Sequence, residues 1–530
     1  MVTVGKSKSR LKARKVVGHS NGRKNGKIAL SAKGRDAHAV HRGASTRIQR
    51  MIPRRAIKSV PIKSDPTPVA RNIVPSGEAR SYLRALAFLH AQTDYERMRI
   101  VRYNTTTFNL DRMRRLLKLL DDPHMKFKSV HIAGTKGKGS TCHMLASMLQ
   151  HGGLKVGLYT SPHLVDIRER ICVNSRMISH SDFVKLVRRV ELAVRKMPQD
   201  RLTFFEIFTA MSFCHFADER VDIAVIETGL GGRLDSTNVI TPEVTGICSI
   251  SYDHMAVLGS TLTKIAEEKA GIFKKDVPAV ATLQSPEVMA ALDRIARQVH
   301  APLQFVGTDI EFSHRFEMAR PIGPHMRVTL ATPRSRFEHI TVPLIGEHQA
   351  LNCGLALAML DKLKERGLVF NDAKVAEGLA RVQLPGRLEV VWRDPRVIID
   401  GAHNAASVQA LFKGISQYIP YDSMVVIFGC NCDKDIDGML EQISLGADKV
   451  IFTRSANNPK SAVPEELSAA YIERFGKMAQ VAGSFREAME VATRAITRED
   501  LVTVTGSFYL IGEAKQYFQQ RGQQATAGRN

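Results

Sequence analysis

Cysteine is scarce. Seven in 530 residues, an odd number without regular spacing, do not make a disulfide framework. The one close pair, Cys430 and Cys432, is a C-x-C rather than the C-x-x-C of zinc or redox sites. Buried or weakly exposed thiols in a reducing compartment are therefore expected. Aromatic residues make up only 6%, with Trp392 the single tryptophan, too thin a supply for a receptor ectodomain or a base-stacking module. No run approaches the ~18 consecutive apolar residues of a membrane span, which argues against an integral membrane protein. Acidic residues are nearly missing from residues 1–80, where only Asp36, Asp65 and Glu78 face 20 Lys and Arg. That segment holds +17 of the total +24, so the other 450 residues carry +7 and the basicity belongs to a tail.

The tail is also poor in large apolar residues and shows no sustained period. It is expected to be disordered, because it cannot bury enough apolar surface to offset its ordering entropy. It lacks the apolar core of a secretory signal. Its composition suits an organelle transit peptide, an arm making weak contacts with nucleic acid, or a start assigned too far upstream. A cytoplasmic location is expected, with mitochondrial targeting by the tail as the alternative.

What is present from Ser81 onward is an ordinary globular composition, 44% hydrophobic and 24% charged over the chain. Ser81–Ala91 and Phe108–Asp121 have helical apolar spacing. In the second, Leu110, Met113, Leu116, Leu117 and Leu120 form one stripe, with Asn109 or Asp111 as cap. Strands are predicted at Phe127–Ala133, Lys155–Thr160, Val221–Glu227, Val244–Ile250 and Val277–Thr282. A second series lies at Val397–Asp400, Met424–Gly429, Lys449–Thr453 and Leu501–Gly506. Helical patterns separate most of them, which predicts an α/β fold with parallel sheets. The turn-forming Leu384-Pro-Gly386 divides the series. The expected organisation is a tail (1–80), a first domain (81–384), a smaller second domain (385–520) and a flexible end (521–530), with ligands at strand C-termini and in the cleft between the domains.

The strongest local signal is His131-Ile-Ala-Gly-Thr-Lys-Gly-Lys-Gly-Ser-Thr141, between a strand and an amphipathic helix. Gly134, Gly137 and Gly139 permit a tight turn with inward N–H groups, and the helix adds its positive end. Lys138 supplies a cation, so the loop can cradle a polyphosphate. An ordinary Gly-rich turn would explain the glycines, but not Lys138 and Ser140 at the helix start. Only Thr135 and Lys136 separate the first two glycines, shorter than the usual Gly-x-x-x-x-Gly-Lys-Ser/Thr, which disfavours small GTPases and most motor ATPases.

Gly134-Thr-Lys-Gly-Lys-Gly-Ser140 resembles the phosphate loop of the Mur ligase superfamily. Its Lys-Gly-Ser ending is similar to that of the folate branch, the folylpolyglutamate synthases and dihydrofolate synthases. Tyr159-Thr-Ser-Pro-His-Leu164, Arg168-Glu-Arg-Ile171 and Glu227-Thr-Gly-Leu-Gly-Gly-Arg-Leu-Asp-Ser-Thr-Asn238 follow in the family's order. So do Ser251-Tyr-Asp-His254, Ile265-Ala-Glu-Glu-Lys-Ala-Gly-Ile272, His348-Gln349 with Asn352, Pro385-Gly-Arg387, Asp400-Gly-Ala-His-Asn404 and Asp433-Lys-Asp435. The resemblance spans about Ser81 to Gln520.

It implies an N-terminal P-loop ATPase domain, a smaller Rossmann-like C-terminal domain, and a monomeric ligase using ATP and Mg²⁺, with K⁺ as an optional further cation. L-glutamate would be added to folate, and to dihydropteroate, through an acyl phosphate. Such a step drives a carboxylate against a γ-phosphate, and cations must offset the repulsion. Gly134, Thr135, Gly137, Lys138, Gly139, Ser140 and Arg387 would hold phosphates, Asp400 the ribose and Asn352 adenine, with His403 near the nucleotide. Ser161, Glu227, His254 and Lys269 would form the metal site, Lys269 as a carbamate; Lys138, Glu227, His254 and Lys269 would carry catalysis. Thr203, Phe204, Phe205, Glu206, Leu234, Asp235 and Ser236 would face the folate together with the loop Ser161–Arg170, and Lys434 and Asp435 the glutamate.

From the residues alone, Glu227 ends a buried strand, whereas Lys269 reads as a solvated helix face and Phe204 and Phe205 equally as core. Ala405 and Leu384 depart from the residues the family more often has there, and Thr93–Thr107 matches its first folate loop poorly. Two other readings are a Mur-type ligase with another carboxylate acceptor and a nucleic-acid-binding ATP switch. The first lacks a nucleotide-sugar-binding N-terminal domain, and the second leaves Glu227, His254 and Asp400 without a role.

Overall fold

A computed structural model describes residues 77–527, except Arg97, 99–107, 320–322 and Asn457. Most of the basic tail thus lies outside the described residues. Its last four belong to the helix Gly77–His90, whose Ala85 and Leu89 are buried. Among the described residues no helix is long and apolar enough to cross a membrane.

Eight strands build the first sheet: β1 (Lys128–Ala133), β2 (Val156–Tyr159), β3 (Ile171–Val173), β4 (Arg176–Met177), β5 (Ile223–Glu227), β6 (Val244–Ile247), β7 (Ala279–Thr282) and β8 (Leu303–Val306). Their order is β4-β3-β2-β5-β1-β6-β7-β8. From β2 to β8 all pairs are parallel, and β3 and β4 form an antiparallel edge. Every residue of β5 is buried. Ile223 and Val225 pack with helices Lys138–His151 and Glu347–Glu365, while Ala224 and Ile226 pack with helices His180–Val194 and Phe204–Asp218. Burial on both faces is why this strand is a continuous apolar run. The expected helix near 108–121 spans Leu110–Leu119, and Asn109 is its cap.

A small antiparallel sheet follows, β9 (Glu311–Ala319), β10 (Gly323–Ala331) and β11 (Arg336–Val342). It was not among the predicted strands. Its inner Met326, Val328 and Leu330 join the core, but its outer face carries ion pairs such as Arg327–Glu317 at 2.7 Å.

The last sheet comprises β12 (Glu389–Arg393), β13 (Arg396–Ile399), β14 (Met424–Phe428), β15 (Lys449–Phe452), β16 (Gln480–Val481) and β17 (Leu501–Thr505). The order is β12-β13-β17-β14-β15-β16, parallel except for β12. In both large sheets a central strand has neighbours reached in opposite directions, β1 between β5 and β6, and β17 between β13 and β14. Crevices open beyond strand C-termini at such points. The residues of interest follow β1, β2, β5, β6, β13, β14 and β17.

Candidate active site

The two crevices meet in one cleft of about 1930 Å³, lined by the loop 134–140, Glu227, His254, Lys269, Asn352, Arg387, Asp400, His403 and Lys434 among others. Single-ligand pockets usually run to ~300–1,000 Å³, so this cleft has room for more than one substrate.

The phosphate loop is tied down on one side and left bare on the other. The N–H groups of Thr135 and Lys136 both donate to the Ser249 carbonyl, at 2.9 and 3.2 Å. Gly137, at φ 86°, precedes the helix Lys138–His151, and no side chain caps that helix. Its first N–H groups therefore remain available to an anion. The positive φ favours glycine at Gly137, and a Cβ there would also displace the Asn352 amide. Asn352 thus packs against the phosphate loop itself. Ser140 is buried in the first turn.

Opposite the helix end stands Glu227, buried, with Lys138 Nζ 3.9 Å from Oε1 and the Ser161 N–H donating to Oε2 at 3.1 Å. Burial raises the Glu227 pKa, and Lys138 and the Ser161 N–H only partly oppose this. A desolvated carboxylate with no cation in close contact is an electrostatic demand for one. Among the described residues, the buried hydroxyls Thr228 Oγ1 and Ser251 Oγ have no hydrogen-bond partner. Glu227, Ser161 and His254 all line the cleft; the Glu227 and Ser161 oxygens suit Mg²⁺, which takes one or two carboxylates and keeps waters and phosphate oxygens, and His254 offers an imidazole nitrogen. Among the described residues no group of three or more His, Cys, Asp or Glu is placed to hold a metal ion by itself.

Lys269 is not a surface cation. It is 4% exposed, and Nζ donates to the Gly134 carbonyl at 2.7 Å. Burial, then the charge of Lys138, pushes its pKa down to about 7. His254, at φ 50°, begins the short helix Met255–Leu258. Its surroundings in the cleft and the charges of Lys434, Lys269 and Lys138 depress its pKa despite Asp253, favouring the neutral ring.

Asp253 joins the two sheets. Its Oδ1 lies 2.8 Å from Lys434 Nζ, and its Oδ2 lies 3.8 Å from His403 Nε2 and 3.9 Å from His254 Nε2. Burial would raise its pKa, but His403, His254 and Lys434 outweigh that and hold it far below the usual carboxylate range. His403 Nδ1 donates to the Gly401 carbonyl at 2.8 Å, which turns Nε2 toward Asp253. Asp400 accepts from the N–H groups of Leu388 and Ala402, both at 2.9 Å, and so organises the loops around it. Arg387 stacks over Phe508, with its guanidinium carbon 4.7 Å from the ring centroid.

On the expected folate side, several polar groups already have local partners. Thr203 and Glu206 form the capping box of helix Phe204–Asp218, and Arg112 grips Glu206 at 2.8 and 2.9 Å. Phe204 is core, whereas Phe205 lines the cleft against Gly229. Asp235 accepts from Leu230 N–H at 2.8 Å and Thr237 N–H at 3.0 Å, supporting the Gly-rich loop from within. Leu234 and Ser236 line the cleft beside it. Asp435 caps helix Ile436–Gly446. Sequence reasoning gave no role of its own to Asp253, and Arg170 entered it only within the loop expected to face the folate. Asp253 was visible only as the neighbour of His254, and Arg170 only as part of a motif. Arg170 is 1% exposed, pairs with Glu96 at 2.6 and 2.8 Å, and donates to His163 Nδ1 at 3.0 Å.

Two family models match this chain: a Mur ligase middle domain over residues 132–360, and a Mur ligase, glutamate ligase domain over residues 386–508. A Bacillus subtilis dihydrofolate synthase/folylpolyglutamate synthase is 34% identical over 416 residues, covering 77% of this chain and 94% of that protein. The chain belongs to the folylpolyglutamate synthase and dihydrofolate synthase family of Mur ligases. It is an ATP-dependent ligase. The Mycobacterium tuberculosis folylpolyglutamate synthase complexed with ADP superposes with a TM-score of 0.75 at 33% identity, covering 83% of this chain and 99% of that one. Escherichia coli FolC in complex with DHPP and ADP does so at 0.70 and 28%, covering 83% and 98%. The two-sheet α/β architecture predicted from the sequence is the one these structures share.

Proposed function

We propose that this chain joins the amine of L-glutamate to the carboxylate of a folate, and to that of dihydropteroate, with cleavage of ATP to ADP and phosphate. The acceptor carboxylate attacks the γ-phosphorus, giving an acyl phosphate and ADP. The glutamate amine then attacks the acyl carbon, phosphate leaves, and the amine loses a proton. The bare end of helix Lys138–His151 and Lys138 bind the triphosphate, and Arg387 meets it from the second sheet. Glu227, Ser161, His254 and a carbamylated Lys269 would hold Mg²⁺, which screens the charge gathered at the γ-phosphate when bound. Asp400 and Asn352 orient the nucleoside, and Phe205, Leu234 and Ser236 the pterin. The division between nucleotide- and glutamate-handling domains falls at Leu384–Pro385. The same reading makes the chain a monomer of the cytoplasm.

What carries this reading is the Lys138–Glu227 pair beneath an uncapped helix end, facing Arg387, Asp400 and His403 across one cleft. ADP release by the full chain, with dihydropteroate or tetrahydrofolate offered separately, tests it. Release should require glutamate and a pterin acid together, and Lys138→Ala should lower it about a hundredfold or more with the fold retained. Release that ignores both substrates, or responds to nucleic acid instead, would overturn the assignment.

A further inference from the structure

His131 lies behind the cleft, yet its ring begins a chain of hydrogen bonds that leads there. It sits in β1, fully buried, on the face opposite Val130 and Ile132. Its Nε2 is 2.8 Å from Thr237 Oγ1, and among the described residues Nδ1 has no hydrogen-bond partner. A proton on Nδ1 would meet no acceptor, so the ring proton belongs on Nε2 and is donated to Thr237. Burial, then the charge of Lys274, pushes the His131 pKa down to about 3, which keeps the ring neutral and its donor fixed.

With Nε2 donating to the Thr237 oxygen, the single hydroxyl proton of Thr237 points onward. It is donated to Asp235 Oδ1. The Thr237 N–H reaches the same oxygen at 3.0 Å, and the Leu230 N–H donates to Oδ2 at 2.8 Å. Donation thus runs one way, from strand to hydroxyl to carboxylate, and such a chain polarises and strengthens itself. Burial raises the Asp235 pKa, and the Thr237 hydroxyl leads the hydrogen bonds that oppose the rise.

Asp235 caps the turn Ser236–Val239 and also holds Leu230, so its carboxylate closes the Gly-rich loop on itself. Leu234 and Ser236, on either side of it, line the cleft. A separate anchor comes from Asn238, whose Nδ2 donates to the Arg233 and Gly271 carbonyls, both at 3.0 Å. That second anchor holds the loop folded when the first is cut. The chain from His131 instead fixes where the Leu234–Ser236 segment stands relative to the central strand.

We propose that His131, acting through Thr237 and Asp235, positions the Leu234–Ser236 segment against the pterin, so that two residues outside the cleft set the affinity for the pterin acid. The proposal rests on the ligase reading above, in which that segment faces the pterin. His131 and Thr237 are positioning residues, since neither touches a substrate. Their effect falls on binding, because the pterin ring does not change during the reaction.

ADP release by the full chain, with each of the three substrates varied in turn, is the test. Thr237→Val keeps the shape and removes the hydroxyl, whereas Thr237→Ser keeps it. His131→Leu removes the donor, and His131→Gln returns an amide N–H near the place of Nε2. In Thr237→Val and in His131→Leu the KM for the pterin acid should rise about tenfold, as for one lost buried hydrogen bond. KM for ATP and for glutamate should stay as they were, and so should kcat. Thr237→Ser and His131→Gln should recover most of the loss. Thr237→Val combined with His131→Leu should be no worse than Thr237→Val alone, because the two residues act as one chain. ADP release by the unaltered chain that needs no pterin acid would sink the ligase reading itself. With that dependence intact, a normal pterin KM in either broken variant overturns the proposal. So does a parallel rise in all three KM values, which marks a general loosening of the fold, or a double variant in which the two losses simply add. Where His131→Leu does not fold, the Thr237→Val and Thr237→Ser comparison decides.

Discussion

Lys269 changes meaning most between sequence and structure. In the run Ala266-Glu-Glu-Lys-Ala270 it reads as one more charge on a solvated helix. In the fold it is buried, donates to the Gly134 carbonyl and has a pKa brought down to about 7. Burial and Lys138 disfavour its protonated form, so a neutral amine is available from pH 7 upward, where an ordinary lysine stays charged to about 10.4. A neutral amine can take up CO₂ and become a carbamate. Lys269→Ala should then cost orders of magnitude in turnover, and formate or acetate should restore part of it by supplying the missing oxygens. Carboxylate-dependent turnover measured beside nucleotide binding decides the point. If Lys269 only props the phosphate loop, nucleotide affinity falls and no carboxylate helps. Other residues were legible for a local reason. Glu227 follows four apolar residues and precedes glycines, a pattern that forces a carboxylate to a sheet edge.

At the scale of elements, strands buried on both faces announced themselves as unbroken apolar runs, and those around β1, β5 and β14 lie where they were predicted. The sheet β9–β11 did not, because one of its faces is solvated and ion-paired, so its apolar residues alternate with Arg, Glu and His. Edge strands β4 and β16, two residues each, are too short for any periodicity. The segment after helix Gly77–His90 illustrates a contact invisible to pattern. Glu96 is fixed by Arg170 from seventy-four positions away, and Arg170 also lies over Phe204 and Phe208, with centroid distances of 5.3 and 5.7 Å. Glu96→Gln should destabilise the chain by about 3 kcal/mol, because it strands a buried guanidinium. Arg170→Met should do comparable harm by stranding Glu96. The double variant should be more stable than either single one, since no uncompensated charge remains. Thermal unfolding midpoints of the four proteins give the answer. A double variant that merely adds the two losses would mean that the pair does not act as a unit.

For the whole molecule, the charge ledger and the site point to different parts of the chain. Residues 1–76 carry 19 Lys and Arg against Asp36 and Asp65, yet no residue assigned to the cleft. Deleting them should leave turnover within about twofold, a barrier change of ~0.4 kcal/mol. The cut belongs before Gly77, since Ala85 and Leu89 of the first helix are core. The two large sheets are held across the cleft by Asp253, which draws Lys434 and His403 toward the phosphate loop. That contact competes with any substrate carboxylate that needs Lys434, so it should matter most when the cleft is empty. Asp253→Asn keeps the shape and removes the charge. Hydrogen exchange should then quicken at 251–257 and 431–437, while the buried strands β1, β5 and β14 exchange as before. Added nucleotide and glutamate should narrow the difference, because the ligands then bridge the sheets in place of the ion pair. Unchanged exchange in the empty Asp253→Asn protein would show that the sheets hold their relation without it, and that Asp253 serves His254 and Lys434 only locally.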